Sequence, residues 1–219
     1  MKIPSWATIG LFLTSCATVP GAQPDDMSAS AHKAEARREE AEAKAHKAQF
    51  DPEAVTWDTR FESDTDAYDI LPEYYYNPTE GHLEQAERHL AHAKAHREAA
   101  LELESFLREE CVGFKMKTRA QCPLLGGVES MTEIDGGVRF VVSAGVDPDG
   151  LVAHMKCHFA VGRAAGYKGM NGCPLYLKDL SIERVGDREV ELTSTDAEVV
   201  PLLRERMRTH VAGHPHDHP

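Results

Sequence analysis

Apolar positions are sparse and helically spaced in the first half of this chain, and they alternate in the second. Residues 28–49 (SASAHKAEARREEAEAKAHKAQ) are built from Ala, Glu, Lys and Arg. These strong helix formers predict one helix, which Asp51-Pro52 ends. Asn77-Pro78-Thr79-Glu80 predicts a second helix start. Asn77 would cap, Pro78 would take the first helical position, and Glu80 would return a bond to the cap. This helix should run to about Glu110, with Leu83, Ala86, Leu90, Ala93, Ala100, Leu103 and Leu107 as its apolar stripe. The two helices should pack as an antiparallel pair. Between them, 51–78 reads as an irregular acidic connector that Tyr74-Tyr75-Tyr76 could dock. Its Asp64-x-Asp66-x-x-Asp69 lacks the glycine and terminal Glu of a calcium loop, so a solvated loop is the better reading.

The second half carries an internal repeat. Cys122-Pro123-Leu124 recurs as Cys173-Pro174-Leu175, and Gly113-Phe114-Lys115-Met116 is matched by Gly166-Tyr167-Lys168-Gly169-Met170. A hairpin follows each Cys-Pro-Leu. The first has strands Val128–Ile134 and Val138–Val142 around Asp135-Gly136-Gly137. The second has Leu175–Val185 and Glu189–Leu192 around Gly186-Asp187. A helix follows each hairpin, opened by Asp147-Pro148 in the first copy and by a Thr195/Glu198 capping box in the second. Leu151, Met155, Lys156, His158 and Ala160 line up with Leu203, Met207, Arg208, His210 and Ala212. The expectation is an α+β protein: an N-terminal helical pair, then a duplicated α-ββ-α-ββ-α domain. Its sheet should be four-stranded and mainly antiparallel, with helices 148–165 and 196–211 on one face and the end of the long helix closing the other face or an edge. Leu151, Val152, Met155, Phe159 and Gly162 share one helical face, with Cys157 nearly opposite. Met155 and Met207 read as core.

Charge sharpens the boundary near residue 111. The chain has 24 Lys+Arg against 36 Asp+Glu, net −12. Residues 17–110 carry 22 acidic and 10 basic side chains, and 111–219 carry 14 and 13. A net-acidic chain excludes general nucleic-acid binding. No apolar run of about 20 residues is present to span a bilayer. At the N-terminus, Lys2 precedes the short apolar segment Trp6–Leu13 (WATIGLFL), and Leu13-Thr14-Ser15-Cys16 follows as a lipobox.

In this the chain resembles bacterial lipoproteins, whose signal is cut before the cysteine and whose thiol carries diacylglycerol. The resemblance implies a signal at 1–15, a lipid on Cys16, and a membrane partner through that lipid. Ala17, where Asp would favour inner-membrane retention, implies the outer membrane facing the periplasm. The helical His/Ala/Glu region joined to a Cys-Pro-Leu domain is also similar to envelope lipoproteins of soil deltaproteobacteria, a likeness that brings no activity with it. Residues 16–27, with Pro20, Gly21, Pro24 and an Asp pair, read as a tether lifting the protein off the membrane.

Four cysteines remain beyond Cys16, an even number that suits disulfides in an exported chain, with a free-thiol metal site as the runner-up. Cys111–Cys122 with Cys157–Cys173 respects the repeat and is favoured. Cys111–Cys157 with Cys122–Cys173 is the alternative. The twelve histidines divide six and six about residue 111. His82, His89 and His96 recur every seven residues with His92 beside them, and His32 and His46 share a face of the first helix. Their expected role is a polar seam in the Ala-rich pair, bonded to nearby Glu, with cross-helix metal chelation the rival. His154 and His158 have the i, i+4 spacing that suits Zn²⁺ or Cu²⁺. His214, His216 and His218, in a 213–219 tail, would line one side of an extended strand.

The hydrolase, zincin, P-loop and dinucleotide motifs are all missing, and the cysteines are better used in disulfides than as nucleophiles. The sequence therefore predicts a non-enzymatic, lipid-anchored envelope protein that binds or scaffolds an envelope partner and requires no cofactor. The alternative is a periplasmic Zn or Cu binder using the His-rich segments.

Overall fold

The computed structural model describes residues 19–57 and 75–212. The signal segment, Cys16, most of the acidic connector with Asp64, Asp66 and Asp69, and the tail histidines His214, His216 and His218 lie outside them.

Helix α1 (Ala29–Gln49) is capped by Ser28, whose hydroxyl accepts from Ala31 N. Two short strands, β1 (Thr56–Trp57) and β2 (Tyr75–Tyr76), pair antiparallel. Helix α2 (Gly81–Glu110) then runs back along α1: Lys33 pairs with Glu104, and Arg97 with Glu40. It starts three residues later than the capping pattern predicts. Asn77 instead forms a turn, accepting from Thr79 N at 2.8 Å and donating to Asp51 O at 2.6 Å. Its amide thus ties the two ends of the hairpin loop together. The apolar stripe also differs. Ala86, Ala93, Ala99, Ala100 and Leu103 are buried, whereas Leu90 is exposed. The seam places His89, which reaches Glu39, where the predicted stripe had Leu90.

After the short helix α3 (Met116–Arg119), strands β3 (Val128–Ile134) and β4 (Gly137–Val142) form the first hairpin. Helix α4 (Pro148–Ala164) follows, capped by Asp147, which accepts from Asp149 N and Gly150 N. A 3₁₀ turn at Pro174–Tyr176 leads to β5 (Leu180–Arg184), β6 (Glu189–Ser194) and α5 (Val199–Val211). The second hairpin is shorter than predicted because Pro174, Leu175 and Tyr176 are buried in that turn rather than extended in the strand. The predicted box on α5 also does not form: Thr195 donates its hydroxyl to Asp179, while Asp196 accepts from Glu198 N.

The four long strands make one antiparallel sheet in the order β3-β4-β6-β5. Each ββα unit therefore has one inner and one edge strand, and the inner strands β4 and β6 meet through Phe140↔Val190 and Val138↔Leu192. Val138, Phe140, Val142, Val190, Leu192 and Ile182 turn toward α4 and α5 and meet Leu124, Met155, Leu175, Leu203 and Met207 in the core. The other face carries Arg139 paired to Glu191 at 2.5 Å, with Glu183 beside them in register. It is polar and solvated, as alternation requires. The end of α2 lies over α4 and the β5 edge, where Phe106 meets Phe159 edge-on at 6.2 Å. Gly162 on α4 lets Tyr176 lie against the helix; a Cβ there would sit 2.9 Å from the ring.

Candidate functional site

Helix α4 is buried on two sides, and that decides the cysteine pairing. Its sheet-facing side presents Leu151 and Met155, while Cys157 faces outward and is fully covered. What covers it is the end of α2: Cys111 lies there and is bonded to Cys157, with Cα atoms 4.6 Å apart. The favoured scheme of Cys111–Cys122 and Cys157–Cys173 is therefore wrong. Neighbours in sequence are directed to different layers. Cys111 belongs to the outer helical layer, whereas Cys122 and Cys173 lead into turns over the core.

Those two cysteines keep their thiols and are buried together. Cys122 leads into Pro123 and Cys173 into Pro174, the start of the 3₁₀ turn. His210, in the last turn of α5, completes the group. Ligand atoms of Cys122, Cys173 and His210 all lie within 4.8 Å of one another. The Cys122 thiol is driven far below its ordinary value. The hydrogen bond from Cys173 is the main cause and outweighs burial, and His210 adds to it. Cys173 moves the opposite way, because it supplies that bond and is itself buried. His210 donates from Nδ1 to Arg206 O at 3.0 Å, which makes Nε2 the basic nitrogen. Arg206 caps the turn, donating to Cys173 O at 3.0 Å and Tyr176 O at 3.4 Å.

The second cluster is the seam between α1 and α2. On α1, Ala29, His32, Ala36, Glu39 and Ala43 are buried at alternating steps of three and four. On α2, buried Ala86, Ala93, His96, Ala100 and Leu103 follow the same rhythm. Alanine layers bring the helices close, and polar layers fall between them. His32 Nδ1 lies 3.0 Å from His96 Nδ1, Glu39 accepts from His89 at 2.6 Å, and His46 Nδ1 lies 3.2 Å from His82 Nδ1. His89 also stacks on His46. The seam is polar as predicted, and His89 bonds a Glu in it, but His32 with His96 and His46 with His82 pair imidazole to imidazole instead.

The i, i+4 pair His154 and His158 is not brought onto one centre. His154 donates from Nε2 to Thr118 O at 2.8 Å and stacks on Phe114. His158 donates from Nδ1 to Arg119 O at 3.0 Å beside the Tyr176 ring. Both imidazoles pin the chain around α3 to α4. The sequence reading took His210 only as the partner of His158 in the repeat. The signal for its site is that both Cys-Pro-Leu segments enter one core on which α5 also ends.

The described part of the segment expected to be a tether, residues 19–27, is packed on the body. Ala22 is buried, and Asp25 accepts from Arg163 Nε and from the Tyr167 hydroxyl, each at 2.8 Å. Lys178 donates to Asp25 O at 2.7 Å. Among the described residues, no helix is long and apolar enough to cross a membrane. Comparison with models of known protein families, with curated proteins and with solved structures finds no match for this chain.

Proposed function

We propose that this chain is a lipid-anchored envelope protein of the outer membrane that acts by binding or scaffolding rather than by catalysis. The observation that carries the reading is the Cys111–Cys157 disulfide. A buried cross-link of this kind belongs to oxidising compartments, and it fixes the end of the α1/α2 rod to the sheet domain. The two parts then move as one body, as a scaffold requires. A lipid on Cys16 would hold that body near the bilayer. Val19 and Ala22 already lie against α2, so an anchor at Cys16 would sit close to the body in sequence. The surface offered to an envelope partner is the open sheet face with Arg139, Glu191 and Glu183. The two ββα units with their matched Cys-Pro-Leu segments descend, in this reading, from a duplication.

The test is metabolic labelling with radioactive palmitate in a Gram-negative host, followed by membrane fractionation and cross-linking from a photoreactive residue at position 139. Label and outer-membrane residence in the wild type, both lost in Cys16→Ser, are expected, with one discrete cross-linked partner. An unlabelled wild type released in the soluble fraction would remove the anchor from the proposal. Absence of any cross-link would remove the sheet face.

A further inference from the structure

The sulfurs of Cys122 and Cys173 take no part in the disulfide or the histidine seam, yet they share one buried pocket with an imidazole. We propose that Cys122, Cys173 and His210 bind one copper(I) ion in a three-coordinate centre of two thiolates and one imidazole nitrogen. The inference goes beyond the anchoring role and does not depend on it.

Four features converge on this ion. The first is donor softness: paired thiolates select soft ions such as copper(I) over the harder divalent ones. The second is the imidazole. Ligating histidines characteristically donate their other ring N–H to a carbonyl, which fixes the tautomer, and His210 does so to Arg206 O at 3.0 Å. The third is ligand number. Among the described residues the cluster has three members, whereas zinc needs a fourth ligand, from the protein or as a water. A monovalent d¹⁰ ion is satisfied by three soft donors. The fourth is charge. Two thiolates carry −2, and among the described residues the cation bonded to this turn is Arg206, which contributes +1. A monovalent ion brings the buried group to neutrality, while a divalent one leaves an uncompensated positive charge where charge is costly. Binding holds both sulfurs as thiolates, any thiol proton still present passing to solvent, and neither copper nor sulfur changes oxidation state. The competing fate is a Cys122–Cys173 disulfide, in which the same thiols lose two protons and pass two electrons to a disulfide oxidant.

The test uses the full chain in detergent, treated under argon with limiting phosphine so that peptide mapping shows Cys122 and Cys173 free and Cys111–Cys157 still bonded, and offered copper(I) as its bicinchoninate complex, with zinc(II) in parallel. One equivalent of copper should be retained, with an X-ray absorption signature of two sulfurs and one nitrogen. It should persist when His214, His216 and His218 are all replaced by Ala. Cys122→Ser and His210→Gln should each weaken copper(I) binding by about tenfold or more, with circular dichroism confirming that they fold. The absorption signature of the unsubstituted chain stands even if they do not. Three results would each overturn the proposal: a shell of nitrogen and oxygen only, preference for zinc, or a Cys122–Cys173 disulfide mapped in unreduced protein from its native envelope.

Discussion

Acid should loosen the helical hairpin at one identifiable layer. His32 and His96 meet with Nδ1 atoms 3.0 Å apart, and both rings are buried. His32 Nε2 reaches Pro24 O at 3.4 Å, which places the His32 proton on Nε2. Its Nδ1 is then the acceptor for the proton on His96 Nδ1. A proton added to His96 brings a positive charge into this buried layer. Burial is the main force holding His96 below its ordinary value of 6.5, and His32 adds to it. Glu35 and Glu39 pull the other way, and His92 opposes them. A histidine depressed in the native state binds its proton first in the unfolded chain. Stability is therefore complete above about pH 6.5 and falls as the pH drops below it. Each proton so excluded contributes a slope of about 1.4 kcal/mol per pH unit. Urea unfolding followed by helical circular dichroism, from about pH 7.5 down to about 5, measures that slope. His32→Leu with His96→Leu replaces the polar layer by an apolar one of similar volume. It should reduce the slope below pH 6.5 by up to about 1.4 kcal/mol per pH unit, while stability at neutral pH is kept or raised. Other buried histidines contribute equally to both proteins and cancel. Identical slopes in the two proteins would refute the assignment.

Three further outcomes follow from the packing. Replacing Cys111 and Cys157 together by Ser opens a loop of 46 residues and should cost about 4 kcal/mol on the chain-entropy estimate; thermal unfolding against the intact protein measures it, and an unchanged midpoint would refute a structural role. Gly162→Ala drives a Cβ to 2.9 Å from the Tyr176 ring and should cost about 1–3 kcal/mol, read by the same unfolding. Burial alone would raise the Asp25 carboxyl, but hydrogen bonds from Arg163 and Tyr167 hold it below its ordinary value of 3.8. Its stabilisation is present above that value and lost as pH falls through the native one. Asp25→Asn should thus flatten the acid end of the stability curve, and an unaltered acid limb would show that the N-terminal segment adds nothing.

The elements were legible wherever local and tertiary demands agreed. Strand β3 runs over the predicted residues because its hairpin needs only Asp135-Gly136, and Gly136 takes the positive φ of 72° that such a turn requires. Helix starts were misplaced where a capping side chain had a better partner elsewhere: Asn77 bonds to Asp51, and Thr195 to Asp179. The disulfide was misread because sequence proximity carries no information about layers. The pattern still held a clue, since Cys157 falls opposite the sheet-facing side of α4 and so needs a partner from a further layer.

The histidine seam was legible as a seam but not as a register, and the reason is its own regularity. Its polar layers step by seven on both helices: 32 against 96, 39 against 89, 46 against 82. A slip of one heptad would set Glu39 against His82 and His32 against His89, and alanine layers would still close between them. The pattern is therefore degenerate, as any strict heptad is. What removes the degeneracy lies at the two ends. Asn77 and Thr79 hold Asp51 O at the loop end. At the other, the Cys111–Cys157 bond fixes α2 on α4, and Arg163, which carries Asp25 and so the chain entering α1, also bonds Glu102. Register in this hairpin is set by contacts outside the repeat, so a sequence reading confined to the repeat could find the face but not the partner.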